Sequence, residues 1–427
     1  MGYIRLMKPF FALLVCLFWH ILAFAQVDTV QRVITGRHNS PSQQEKPYVI
    51  LISADGFRYD YADKFQAKNL IALRENGVQA KSMIPAFPTK TFPNHYSIVT
   101  GLYPSSHGLI NNYFYDPQRK EHYTIRERSK VEDGSWYGGT PLWVLAEQQQ
   151  MLSASFFWVG TEAPIQGILP TYHYKYSEVI PIESRIKTVV DWLNLPAARR
   201  PHLITFYLPE VDHAGHSYGP DAPETRKAVL KLDEQVRMLT EAVATTGLPV
   251  NFVFVSDHGM LRIDTENTLP MPAAVDTAKF VVSGGGMVVE LHAKNKSAIR
   301  STYKQLKKEA NDYQVYMKSN MPKHLHYGRK DDRYGRIGDI ILLTDAPKVF
   351  HFSSRKPAPG THGYDATKVK EMHATFYAWG PAFKKGLTIP AFENVDVYPV
   401  IAEILGLKYS HKIDGGKKLA EKILKNE

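Results

Sequence analysis

"YVILISADG" (residues 48–56) is an apolar run that stops abruptly at an aspartate and a glycine. Consecutive apolar residues without alternation suit a strand buried on both faces, the kind found in parallel sheets. Ligands of open α/β sheets bind at the carboxyl ends of the strands. Asp55 therefore falls where a site would form.

The same pattern recurs outward along the chain. "ASFFWVG" (154–160), "HLITFYL" (202–208) and "NFVFVSD" (251–257) read as further strands. "KFQAKNLIALRENG" (64–77) has helical spacing and a terminal glycine, and "APETRKAVLKLDEQVRMLTEAVATTG" (222–247) reads as an amphipathic helix. This alternation predicts an α/β fold, a mainly parallel central sheet with helices on both faces. Residues from about 264 to 360 break the rhythm with "KFVVSGGGMVVELH", a lysine-rich helix and "MPKHLHYGRKDDRYGRIGDIILL". They are expected to form an inserted smaller α+β subdomain. The main sheet resumes at "HATFYAWG" (373–380), and a closing helix is predicted in "VDVYPVIAEILG" (395–406).

Composition sets the outer limits. The chain has 427 residues, 44% hydrophobic and 22% charged, enough to bury one large core. Its first stretch, "MGYIRLMKPFFALLVCLFWHILAFA", joins Arg5 and Lys8 to an apolar run with small residues at Ala23 and Ala25. That is the pattern of a secretory signal peptide cut after residue 25. An uncleaved membrane anchor is the competing reading, against which the run is short. Residues 26–46 read as a loose polar leader, and the catalytic domain as 47–427. Cys16, the only cysteine, leaves with the signal, so the mature chain has no disulfide and no thiolate ligand. The expected location is outside the cytoplasm, in a periplasm or secreted, with the membrane met only during export. The net charge of +10 carries no arginine-rich stripe, which argues for anionic small molecules and against a specific nucleic-acid partner.

Four short stretches carry chemistry. "LISADG" ends on Asp55; "YLPEVDHAGHSYGP" holds Asp212 and His216 at i, i+4; "FVFVSDHG" ends on Asp257 and His258; "PGTHGYD" holds His362 between glycines. Singly, such residues are turn caps or hydrogen-bonded histidines. Together, three aspartates and three histidines at strand ends, with no cysteine, form a ligand set for zinc or a similar divalent ion. Six ligands exceed one tetrahedral site with an open position and suit two ions roughly 4 Å apart. "FPTKTFPNHYSIVTG" (87–101) supplies a nucleophile, because a metal that lowers the pKa of the Thr91 hydroxyl makes it competent. Thr91 also opens a predicted helix, whose N-terminus favours a phosphoryl oxygen. The bland role for it is a helix cap.

"PTKTFPNHYSIVTGLYPSSHG", "DHAGHSYGP", "SDHGM" and "THGYD" resemble, in order, the signature segments of the nucleotide pyrophosphatase/phosphodiesterase family of the alkaline phosphatase superfamily. The likeness runs from about residue 47 to the end and is closest to the single-domain bacterial-type forms. It implies an alkaline-phosphatase-like fold and a phospho-threonine intermediate on Thr91. Asp55, Asp257 and His258, with Thr91, would hold one Zn2+, and Asp212, His216 and His362 the other. Asn112, in "LINNYFYDP", would donate to a phosphoryl oxygen. Phe92 and Tyr176 match positions that sandwich a nucleobase, with Trp158 and Tyr207 around them; the alternative for the last two is core packing. Tyr113 departs from the lysine some nucleotide-preferring members carry after the asparagine.

The resulting expectation is a two-zinc hydrolase that cleaves nucleotide phosphodiester or phosphoanhydride bonds and releases a nucleoside 5′-monophosphate. A phosphocholine-type lipid head-group phosphodiesterase and a phosphate monoesterase remain as alternatives. Glu162, in "GTEAP", argues against the monoester because it would repel a dianion. A sulfatase would need a cysteine or serine where Thr91 stands. An exported binding protein with a dead site would be expected to have lost a ligand, and none is lost.

Overall fold

The computed structural model describes residues 28–425. The expected signal peptide lies outside the described residues. A nine-stranded sheet organises the rest. In chain order its strands are β1 (Arg32–Val33), β2 (Tyr48–Ala54), β3 (Val78–Ala80), β4 (Ser153–Phe156), β5 (Tyr172–His173), β6 (Leu203–Leu208), β7 (Val250–Val255), β8 (Phe376–Trp379) and β9 (Leu387–Ile389). They lie side by side as β1-β5-β4-β6-β2-β7-β8-β3-β9. The run β5-β4-β6-β2-β7 is parallel throughout, and β8 is antiparallel to both of its neighbours. The expected α/β class, with a mainly parallel sheet, is what the chain adopts.

The apolar runs are continuous because both faces are covered. Val49, Leu51, Val253 and Val255 point into one core, and Ile50, Ile52, Phe252 and Phe254 into the other. The long helix Pro223–Ala244 packs on the second face through Val229, Leu232, Val236, Leu239 and Val243, spaced by three and four. The closing helix Val397–Leu405 is almost wholly buried on the first face and stops at Gly406, whose φ is 64°.

Between β7 and β8 the chain leaves this sheet to build a four-stranded antiparallel sheet, ordered Phe280–Gly285, Val288–Ala293, Ile340–Thr344, Tyr313–Met317. Helix Ser297–Glu309 covers it, and Phe280, Val289, Leu291, Leu306, Val315 and Ile340 form its own core. This α+β unit lies within the stretch expected as an insert.

Local departures have identifiable causes. The helix expected over 64–77 is two pieces, Tyr61–Phe65 and Lys68–Glu75, because Gln66 takes a left-handed φ of 58°. The strand expected over 154–160 ends at Phe156, where Phe157 turns at φ 69° and redirects Trp158. Residues 28–46 are not a loose leader. β1 pairs with β5, and buried Asn39 donates from Nδ2 to the carbonyls of Ala197 (2.8 Å) and Arg200 (2.7 Å). Its Oδ1 accepts the Leu152 N–H at 2.7 Å. One amide thus satisfies three backbone groups that burial would otherwise leave unpaired.

Candidate active site

Three adjacent parallel strands, β6, β2 and β7, deliver most of the site from their carboxyl ends. Asp55 follows β2 directly. Gly56 then turns at φ +66°, and a Cβ there would lie 3.0 Å from the Asp212 Cα, so only glycine lets the two segments meet. Its N–H donates to Asp257 Oδ1 at 3.1 Å. Asp257 and His258 follow β7, while helix Glu210–Tyr218, after β6, presents Asp212 and His216 one turn apart. His362 follows the short strand Gly360–Thr361. Thr91 is the first residue of helix Thr91–Thr100, and the cap position belongs to Lys90. The threonine hydroxyl is therefore not spent on capping; it lies 3.3 Å from His258 Nε2.

The three imidazoles are fixed in the same way. His216 Nδ1 donates to the Gly360 carbonyl (2.7 Å), His258 Nδ1 to Gly259 (2.8 Å) and His362 Nδ1 to Thr89 (2.7 Å). A carbonyl can only accept, so the hydrogen sits on Nδ1 and each Nε2 faces inward, its lone pair free when the ring is neutral. Burial lowers His258, but the adjoining Asp257 charge outweighs it and favours the protonated ring. His362 Nε2 lies 3.1 Å from His216 Nε2, and His216 Nε2 lies 3.4 Å from Asp212 Oδ1. His258 Nε2 lies 2.9 Å from Asp257 Oδ2 and 3.4 Å from Asp55 Oδ1. Its ring stacks on His362 with centroids 3.4 Å apart, linking the two groups.

With the imidazoles neutral, these are acceptors facing acceptors. Asp55 Oδ1, Asp212 Oδ1 and Asp257 Oδ2 are buried without a hydrogen-bond partner. Asp55–Asp257–His258 and Asp212–His258–His362 each bring their ligand atoms within 4.8 Å of one another, and His216 joins the second group. Buried, unpartnered oxygens and inward lone pairs of this kind are stabilised by cations, and the oxygen/nitrogen set fits a divalent metal. The charges register the crowding. Burial, then the Asp257 and Asp212 charges, push the Asp55 carboxyl well above its usual range. Burial also pushes Asp257 up, but the His258 and His95 imidazoles outweigh it and hold its carboxyl low. Burial and the neighbouring His258 lower His362, and burial lowers the Lys90 ammonium to about 8.

Beside Thr91 opens a cleft of about 290 Å³ lined by Phe92, Trp158, Tyr176 and Tyr207 among others. A larger hollow of about 580 Å³ beside Trp379 contains none of these residues. Phe92 is half-buried and Tyr176 exposed at the rim, its hydroxyl donating to Glu178 at 2.8 Å. Trp158 is core as well as wall, since it is buried and its indole N–H donates to the His95 carbonyl at 3.0 Å. Tyr207 donates its hydroxyl to Asp55 Oδ2 at 2.5 Å, which ties this wall of the cleft to the carboxylate cluster. Asn112 Oδ1 accepts the Phe92 N–H at 3.0 Å, placing that amide beside the start of the helix. Glu162 is not a free acid. Arg128, from a helix distant in sequence, pairs with it, and the Tyr176 N–H donates to its other oxygen at 3.1 Å. Repulsion by Glu162 therefore no longer argues against a monoester.

Residues 49–365 match the type I phosphodiesterase / nucleotide pyrophosphatase family over most of the chain. The chain belongs to that family. It is 36% identical over 385 residues to rat ectonucleotide pyrophosphatase/phosphodiesterase family member 1, covering 86% of this chain and 42% of the relative. It is 35% identical over 408 residues to a venom phosphodiesterase of Crotalus durissus collilineatus, covering 92% of this chain and 48% of that one. The chain thus spans about half or less of the length of these relatives. Human ectonucleotide pyrophosphatase/phosphodiesterase 5 superimposes with a TM-score of 0.82 at 27% identity, covering 89% of this chain and 100% of that one. The murine counterpart, an inactive variant solved with AMP, superimposes equally well. The fold of this family member is accordingly alkaline-phosphatase-like.

Sequence reasoning missed supporting residues of this family member. His95 donates from Nδ1 to the Thr91 carbonyl at 2.9 Å, approaches Asp257 Oδ2 at 3.3 Å, and pairs through Nε2 with Ser53 Oγ at 2.8 Å. Its position four residues after Thr91 puts it on the same helix face, a signal that was available. Lys90 reaches back to the His362 carbonyl at 2.6 Å. The Arg128 contact had no local sign.

Proposed function

We propose that the chain is an exported two-zinc phosphodiesterase/pyrophosphatase. It cleaves nucleotide phosphodiester or phosphoanhydride bonds and releases a nucleoside 5′-monophosphate. The observation that carries this reading is the Thr91 hydroxyl set against buried, unpartnered carboxylate oxygens and inward-facing imidazole nitrogens. Asp55, Asp257 and His258 with Thr91 would hold one ion, and Asp212, His216 and His362 the second. When bound, the ions supply Lewis-acid activation of the nucleophile and charge balance at phosphorus.

The chain's own residues do the rest. Thr91 gives up its hydroxyl proton to solvent as Oγ1 bonds to phosphorus and the leaving oxygen departs with its electron pair. Water then bonds to phosphorus, the Oγ1–phosphorus bond of the phospho-threonine breaks, and Thr91 regains a proton. Asn112, its Oδ1 held by Phe92, keeps its amide N–H groups as donors to a phosphoryl oxygen, a role worth about 10²–10³-fold. Phe92 and Tyr176 would stack on the base with little discrimination among bases. The AMP bound by the murine relative supports a nucleotide in this cleft.

The test compares the nitrophenyl ester of thymidine 5′-monophosphate, nitrophenyl phosphocholine and nitrophenyl phosphate on one zinc-loaded preparation. The nucleotide ester should be preferred, and Thr91→Ala should lower its turnover at least about 10³-fold with folding intact. A lead for phosphocholine would move the substrate to lipids, and a lead for the monoester would make the chain a phosphatase.

A further inference from the structure

A second hollow adjoins the base cleft. It holds about 500 Å³ and is lined by Asn112, Tyr113, Thr124, Ile125 and Arg126. Ile125 belongs to the walls of both spaces, and its N–H donates to the Asn112 carbonyl at 3.2 Å, so Asn112 stands at their junction. A substrate with its base in the first cleft and its phosphorus beside Thr91 and Asn112 has this second space for the group that departs.

The lining has a definite chemistry. Arg126 is exposed, and among the described residues its guanidinium takes part in no ion pair and no side-chain hydrogen bond; only its backbone N–H is engaged, by Thr124 Oγ1 at 3.3 Å. The nearby cations are committed elsewhere, Arg128 to Glu132 and Glu162, and Lys130 to Glu121. Tyr113 is partly exposed and stacks on His122 with centroids 5.0 Å apart and rings parallel. An unspent guanidinium offers a planar set of donors matched to phosphate oxygens.

We propose that Arg126, beside Tyr113 and Asn112, forms a leaving-group subsite that selects substrates whose departing half carries a phosphate. The inference rests on the nucleotide reading above. As the bond from phosphorus to the leaving oxygen breaks, the electron pair stays on that oxygen. Arg126 holds the negative charge of the departing pyrophosphate or nucleotide, and Tyr113 borders it.

Two substrates with the same nucleotide half separate the possibilities. One is thymidine 5′-triphosphate, which loses pyrophosphate; the other is the nitrophenyl ester of thymidine 5′-monophosphate, which loses nitrophenolate, a monoanion that carries no phosphate. Arg126→Ala should lower kcat/KM for the triphosphate by about tenfold to a hundredfold. It should leave the nitrophenyl ester within about twofold, and Arg126→Lys should restore part of the loss. Melting of the variant should match the parent, because the side chain is exposed. Equal losses on both substrates, or an unchanged triphosphate rate, would overturn the subsite. Failure of the parent enzyme to turn over either nucleotide substrate would instead overturn the functional reading and the subsite with it.

Discussion

The bond from the Tyr207 hydroxyl to Asp55 Oδ2 shows how the site depends on residues outside the proposed ligand set. Asp55 uses one oxygen on Tyr207 and leaves Oδ1 unpartnered and inward. Losing such a supporting bond typically weakens metal affinity about 10–100-fold. Tyr207→Phe keeps the ring and should raise, by that factor, the zinc concentration needed to restore half-activity after chelation; an unchanged titration would reduce Tyr207 to packing. At this scale the carboxylates and imidazoles were legible, because each closes an apolar strand or sits in a glycine-flanked loop. The aromatic assignments were only half legible. Whether Trp158 and Tyr207 face a ligand or a neighbour depends on one hydrogen bond each, which spacing does not encode. Arg128 was invisible, since the contact that cancels the Glu162 charge joins segments 34 residues apart.

Elements were legible where both ends carried a signal. Helix Pro223–Ala244 begins at a proline and keeps its apolar spacing throughout. The break at Gln66 and the turn at Phe157 had no such marker, because neither residue type favours a left-handed φ. The insert strand Val288–Ala293 hides a further feature. Glu290 is fully buried, accepts the Tyr327 hydroxyl at 3.1 Å, and has no partner for Oε2. Burial pushes its carboxyl up to about 7. The folded state then binds a proton that the unfolded chain releases from about 4.5 upward, so stability falls as pH rises through this window. Glu290→Gln removes that slope, which amounts to up to about 3 kcal/mol. Its melting temperature should exceed the parent's at pH 8 and match it near pH 5. A constant difference at both pH values would show that Glu290 does not titrate there.

In the whole molecule, the insert is held to the main body by buried charge as well as by packing. Arg336 donates to Asp116 Oδ2 at 2.9 Å and to the carbonyls of Gly108 and Trp136 at 2.8 Å each. Arg336→Leu would leave Asp116 buried without this partner, a loss of about 3–5 kcal/mol. It should lower the melting temperature and expose the segment around residues 326–337 to proteolysis; a shift within the range of surface substitutions would show that apolar contacts suffice. The alternation of strands and helices made the mainly parallel α/β sheet legible, whereas the stitching by Asn39 was not, because its three partners are distant in sequence. The pins on the three histidines come from Thr89, Gly259 and Gly360, in three remote parts of the chain, and all are main-chain carbonyls. No side-chain replacement can delete a main-chain carbonyl. The imidazole cradle is thereby buffered against point mutation, and the rim around Tyr176, Arg128 and Arg126 can drift under selection for new substrates without loosening it.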